Sequence, residues 1–218
     1  MTDLLISPCL RLAFGKSQAN AQRKHMEMAV ILEGIVTTIS PDGQIHIAPM
    51  GPRVDAAMER FLLRPFPTSQ TYRNLVKHGE GVVHVTDDVF LLARAALGAV
   101  EPAPTYSPAG KIKGFVLHDA CRYYEFRVRS IDDREERMRI EVEVVHSGRL
   151  RDFFGFNRAK HAVVEAAILA TRTAFLPLNE IEAEFKKLAV IVAKTGGQQE
   201  KDAFDFLNRH VLLCRSQK

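Results

Sequence analysis

Residues 122–131 read RYYEFRVRSI and residues 138–145 read MRIEVEVV. In the first run Tyr124, Phe126 and Val128 alternate with Glu125, Arg127 and Arg129. In the second, Met138, Ile140, Val142 and Val144 alternate with Arg139, Glu141 and Glu143. Side chains leave a strand on opposite faces in turn, so each run has one apolar and one charged face. Asp132-Asp133 starts the turn between them. Two such runs in succession form an antiparallel hairpin with one face on a core.

Working outward, a second hairpin precedes it. Ala29–Ile39 is rich in β-branched residues, Ser40-Pro41-Asp42-Gly43 supplies the turn, and Gln44–Met50 alternates again. Pro49 and Gly51-Pro52 are expected to end its ladder pairing. Ala56–Leu63 fits a short helix or a strand. Ser69 caps a helix that Gly79 stops, and Gly81–Thr86 is a buried strand. Asp87 or Asp88 caps a helix over Val89–Leu97. Three prolines make Val100–Gly110 a loop, and Lys111–His118 reads as a strand. Beyond Gly155 the pattern turns helical: Asn157 caps a helix to about Phe175, Asn179 one over Glu180–Lys194, and a third spans Gln199–Val211. The spacing predicts an α+β chain with an antiparallel barrel and a C-terminal helical segment. Its parts are an N-terminal arm (1–28), a β-rich domain (29–150) and the helices (151–218).

Composition agrees with a globular chain: 218 residues, 46% apolar and 26% charged. Thirty basic against 26 acidic residues leave a net charge of +4, which suits an anionic ligand. Glu125, Glu141 and Glu143 interleave Arg127, Arg129 and Arg139, which argues against nucleic acid. Cys9, Cys121 and Cys214 lie far apart and make no CxxC pair, which fits a reducing compartment. The eight histidines make no HExxH, so no metal is expected. No apolar stretch approaches the roughly 20 residues of a membrane span. Asp3 and Arg11 interrupt a signal-like pattern, and a cytoplasmic address is expected.

Four stretches hold candidate chemistry. In Arg64–Leu75, a guanidinium and the hydroxyls of Thr68, Ser69 and Thr71 surround a helix start, whose first N–H groups attract anions. The plainer reading, that Ser69 only caps its own helix, stands beside it. Ala48-Pro49-Met50-Gly51 leaves a small-residue strand edge that a flat heterocycle can approach. In Val83–Asp88, His84 and Thr86 share a face and could line a barrel rim. Asp87-Asp88 reads as a cap rather than a carboxylate pair. In Gly155–His161, Arg158, Lys160 and His161 crowd a helix start, where cations oppose the macrodipole and a bound anion would relieve them.

Together these residues resemble a known pattern. Ile31–Thr38, Asp42-Gly43 and Ala48–Gly51 are similar to the opening of the FMN-binding split-barrel, flavin-reductase-like flavoproteins. Arg64-Pro65-Phe66, Ser69, Thr71-Tyr72, Asn74-Leu75, Gly79 and Val83–Asp88 resemble a branch found in archaea and in bacteria using methanopterin-type carriers, as do Asn157–Lys160 and Glu165–Ile168. The resemblance spans about residues 29–175. It implies a six-stranded split barrel, an obligate homodimer and FMN near the dimer interface. Carried over, it nominates Arg64, Thr68, Ser69, Thr71, Tyr72 and Asn74 for the phosphate. Pro49, Met50 and Gly51 would flank the isoalloxazine, with His84, Val85 and Thr86 nearby. His84 stands where the pattern commonly has asparagine. Asn157, Arg158 and Lys160 could reach the phosphate, from the partner subunit if need be. The implied function is an FMN-dependent oxidoreductase or flavin reductase, with NAD(P)H or a pterin-like carrier as reaction partner. A flavin-binding protein without turnover is the alternative.

Overall fold

The computed structural model describes residues 30–134 and 136–216. The arm read for residues 1–28 lies outside them. The first strands are β1 (Val30–Ile31), β2 (Gly34–Ile39), β3 (Ile45–Met50), β4 (Arg53–Val54) and β5 (Arg60–Leu63). Then come α1 (Gln70–His78), β6 (Glu80–Val85), α2 (Val89–Ala96), β7 (Tyr106–Pro108) and β8 (Phe115–Leu117). The long hairpin is β9 (Arg122–Asp132) and β10 (Arg139–Arg149), and the helices α3 (Arg158–Ala170), α4 (Leu178–Thr195) and α5 (Gln198–Ser216) close the chain.

Eight strands form one antiparallel sheet in the order β1-β4-β5-β10-β9-β6-β2-β3. Val36, Phe61, Leu63, Val83, Phe126 and Ile140 come from five of these strands yet pack into one buried cluster with Leu75 of α1. The sheet therefore curls around that core as a split barrel. A second core lies outside it, where Ile35 meets α2 and the three C-terminal helices through Leu91, Ala162, Ile181 and Leu207. Val36 and Ile35 serve opposite cores because adjacent strand residues face opposite ways. The β-domain and the helices thus share a buried face.

Several local readings change. The first strand breaks into β1, which pairs with β4, and β2, which pairs with β3 and β6. Ala56–Leu63 resolves into a turn followed by β5. The predicted strand Lys111–His118 shrinks to β8, and the proline-rich loop contributes β7 as its partner. Pro49 stays inside β3, opposite Ile35, because β3 is the outer strand, where proline costs no central ladder bond. Helix α3 stops at Ala170, and α4 starts from Pro177 rather than Asn179. Glu125, on the charged face of its strand, is fully buried under the segment before β8. Its carboxylate accepts from the N–H groups of Gly110 (2.8 Å) and Lys111 (2.7 Å).

Candidate functional site

Strand β5 ends at Leu63, and residues 64–69 turn the chain into α1. Ser69 is the N-cap: its Oγ accepts from Tyr72 N at 3.2 Å and donates to Phe66 O at 2.7 Å. Helical geometry leaves the N–H groups of Gln70 and Thr71 without intrahelical acceptors, beside exposed Thr68 and half-buried Arg64. Arg73 holds the loop by donating to Thr68 O at 2.6 Å and to Gln70 Oε1 at 2.7 Å. Tyr72 is half-buried against the barrel core. Thr71 and Asn74 point inward and are buried. Asn74 Nδ2 donates to Thr38 Oγ1 at 2.9 Å, and Gln70 donates to Asn74 Oδ1 at 2.7 Å. Asn74 therefore pins α1 to β2, and its amide is spent on that task.

Met50 packs against the barrel core and is joined through Gly51-Pro52 to Arg53, which pairs with Leu62 just before the Arg64 loop; Val85 packs on the same core one strand beyond β2. The space over Gly51 is filled by Ile31 and Glu33: an added Cβ would lie 2.9 Å from Ile31 Cγ2. Burial pushes the Glu33 carboxyl above its ordinary range. His84 is fully buried, so its imidazole lines no rim. Nδ1 lies 3.3 Å from Ile35 O, and Nε2 accepts from Leu117 N at 3.1 Å. Both nitrogens are used within the chain, and burial pushes the His84 pKa down to about 4. Thr86 is also buried, and its Oγ1 accepts from Asp88 N at 3.0 Å. Asp88, not Asp87, caps α2 by accepting from Leu91 N.

Asp87 takes a larger part than a cap. Its carboxylate receives both terminal nitrogens of Arg151 (2.5 and 3.0 Å) and Phe154 N (2.8 Å). The Arg151 guanidinium holds the Asp87 pKa down at about 2. Lys160 Nζ donates to Asp87 O at 2.8 Å and to Glu200 Oε1 at 2.7 Å, with both side chains largely buried. Asn157 caps α3 by accepting from Ala159 and Lys160 N, and its amide donates to Thr195 O. Arg158 is exposed. While Arg158 stays at the surface, Lys160 of the cationic turn at α3 is thus offset by the protein's own Glu200 and the Asp87 carbonyl. These groups line a cavity of about 660 Å³ with Lys194, Gly196 and Gly197, between the barrel and the helices.

One chain therefore does not gather all the nominated residues. Leu63 pairs with Ile140, whereas Val85 pairs with Arg122, which pairs with Arg149. The Arg64 loop and the Asn157 turn sit at opposite ends of β10, about 30 Å apart along the strand. The sequence reading missed Arg73, Arg151 and Glu200. Arg73 stood inside the quoted stretch at (i, i+3) from Gln70, a helical pairing that signals contact. Nothing local marks Arg151 or Glu200, whose partners lie 64 and 40 residues away. No group of three or more candidate metal ligands occurs among the described residues. Among them, too, no helix is long and apolar enough to cross a membrane.

Comparison with known proteins follows the same division of the chain. The sequence profile described as "Protein of unknown function (DUF447) N-terminal domain" matches residues 32–151, and that of "Protein of unknown function (DUF447)" matches residues 157–209. A search of curated proteins gave no match. Among solved structures, an FMN-bound protein of Methanosarcina mazei carrying the same family assignment is 22% identical, with a TM-score of 0.73. That match covers 87% of this chain and 99% of that one. The 2-nitrobenzoate 2-nitroreductase of Pseudomonas fluorescens is 14% identical at a TM-score of 0.48, over 68% of this chain and 76% of its own. The flavin reductase of the Pseudomonas putida styrene monooxygenase is 12% identical at 0.46, over 60% and 87%. The Methanosarcina likeness is one of fold, and it agrees with the curled sheet and the helices that flank it. With the first profile alone spanning more than half of its residues, this chain belongs to the DUF447 family.

Proposed function

We propose that this protein binds FMN non-covalently and acts as a flavin-dependent oxidoreductase. The observation that carries the reading is the Arg64–Ser69 loop. It delivers a capped helix start at the end of a barrel strand, with the N–H of half-buried Gln70, the exposed Thr68 and Arg64 in the same loop. That donor set fits a phosphate monoester. The FMN held by the Methanosarcina mazei member of the same family supports the choice of ligand.

Arg64, Thr68, Ser69 and the N–H of Gln70 would hold the phosphate. Thr71, Tyr72 and Asn74 would serve by fixing α1. Pro49, Met50, Gly51, Val85 and the backbone around His84 and Thr86 would flank the ring system. When bound, the isoalloxazine supplies electron transfer, and the protein supplies position and charge. A homodimer belongs to the proposal. Phe153, Phe154 and Phe156 are 48%, 72% and 107% exposed beside the Asn157 turn, an apolar surface suited to a second copy. That copy would bring its Asn157–Lys160 turn towards the first copy's Arg64 loop. The reaction partner is NAD(P)H or a pterin-type carrier, and the setting is cytoplasmic.

Purified protein should be yellow, with an absorbance band near roughly 450 nm, where oxidised flavin absorbs. FMN titration should saturate at one equivalent per chain, and light scattering should give twice the chain mass. Oxidation of NAD(P)H by the loaded protein separates turnover from storage. Colourless protein that FMN does not titrate would sink the reading.

A further inference from the structure

Arg122 and Arg149 are directly opposed residues on β9 and β10. In an antiparallel pair, opposed side chains leave the sheet on the same face and come close. Two residues along β9, Tyr124 points into the barrel core, so the pleat sends both arginines to the barrel side, at its open end. Val85 is the neighbour of Arg122 on β6 and packs on that same core. Two arginines therefore leave neighbouring strands side by side at the rim of the barrel.

Like charges directly opposed across a ladder destabilise it. Nearby carboxylates do little to offset this. Among the described residues Arg149 pairs only with Asp152, which is 81% exposed and three residues along an exposed loop. Asp87 is already taken by Arg151. No hydrogen bond or ion pair among the described residues engages the Arg122 guanidinium. Paired planar forks match an oxyanion in a way that a scattered surface charge does not.

We infer that Arg122 and Arg149 form an anion-recognition element at the barrel mouth. It takes the carboxylate or phosphate of the molecule that exchanges electrons with the flavin. This rests on the flavin reading only for the ligand's role. The pair selects an anionic reaction partner over a neutral one and orients it beside Val85. Arg151, two residues on, stays locked to Asp87 and keeps the end of β10 in place.

The test has two arms. In the first, inorganic phosphate and benzoate are titrated into the full-length protein without flavin, followed by arginine side-chain and backbone ¹⁵N–¹H NMR. Saturable shifts should centre on Arg122, Arg149 and Val85. They should weaken at least tenfold in Arg122→Gln and Arg149→Gln and recover in part in Arg122→Lys. Melting temperatures should be unchanged or raised, since a repulsive pair has been relieved; a clear fall would mark a structural role. In the second arm, FMN and riboflavin affinities are measured for the same variants. Both should stay within twofold of the parent.

Absence of saturable shifts overturns the inference while leaving FMN binding intact. A tenfold loss for FMN but not riboflavin also overturns it, because the pair would then hold the flavin's own phosphate. If the parent binds no flavin yet shows the oxyanion shifts, the flavin reading fails and the arginine site stands.

Discussion

Asp87 and Arg151 meet in a two-pronged ion pair, Oδ1 to Nη2 at 2.5 Å and Oδ2 to Nη1 at 3.0 Å. The pair joins the end of β6 to the end of β10, and Asp87 also fixes Phe154 N of the aromatic loop that leads into α3. Its acid-side consequence is definite. The Asp87 pKa in the folded protein, about 2, lies below its ordinary value of 3.8. A lowered carboxylate contributes stability that is present above pH 4 and lost as pH falls through 2. Asp87→Asn should cost about 2 kcal/mol at pH 7, and the gap from the parent should close between pH 4 and 2. Urea unfolding at pH 7, 4, 3 and 2 measures it; a gap that does not depend on pH would contradict the assignment.

His84 titrates in the window above that one. It is buried neutral, with a pKa lowered from 6.5 to about 4 by desolvation. The unfolded chain takes up the proton first, so stability is lost as pH falls from 6.5 towards 4, by on the order of 3 kcal/mol in all. His84→Gln removes the titrating group, and its unfolding free energy should be flatter over that range. His84→Leu should cost about 2–3 kcal/mol at pH 7, because Leu117 N–H and Ile35 C=O lose their partner. Neither should change FMN affinity per folded molecule, which a fluorescence titration checks.

Lys160 and Glu200 form the second buried pair, 16% and 8% exposed. Removing one partner leaves a largely buried charge. Lys160→Met or Glu200→Leu alone should destabilise by about 3 kcal/mol, and the double variant by far less than the sum. A double-mutant cycle from urea midpoints reads the coupling, and additive losses would show that the two charges act independently.

Arg64→Ala should weaken FMN binding by roughly 1.5–3 kcal/mol, the range for a hydrogen bond to a charged group, and leave riboflavin binding nearly unchanged. Quenching of flavin fluorescence gives both constants. Equal losses for the two ligands would place Arg64 in loop structure rather than in phosphate recognition.

Much of the fold was legible from local chemistry. Alternation located the β9–β10 hairpin, and capping residues located helix starts at Ser69 and Asn157, because both signals act within four residues of the chain. Where a reading slipped, a neighbour distant in sequence had overruled local pattern. Glu125 looked solvated until the segment at Gly110 covered it, and Pro49 looked like a strand end until its strand proved to be an outer one. His84 is the sharpest case. Strand parity gave its face correctly, yet only the packing of β8 shows that this face is sealed.

By itself the sequence determined the antiparallel curl, the helical tail and the capped helix start at Ser69, since period, turn chemistry and caps are properties of contiguous residues. Tertiary structure alone decided which charges are spent. Arg151 and Lys160 are committed to Asp87 and Glu200, while Arg122 and Arg149 are brought face to face by the register of one ladder. Charge pairing depends on distances between strands and helices far apart in the chain, and no local pattern encodes those distances.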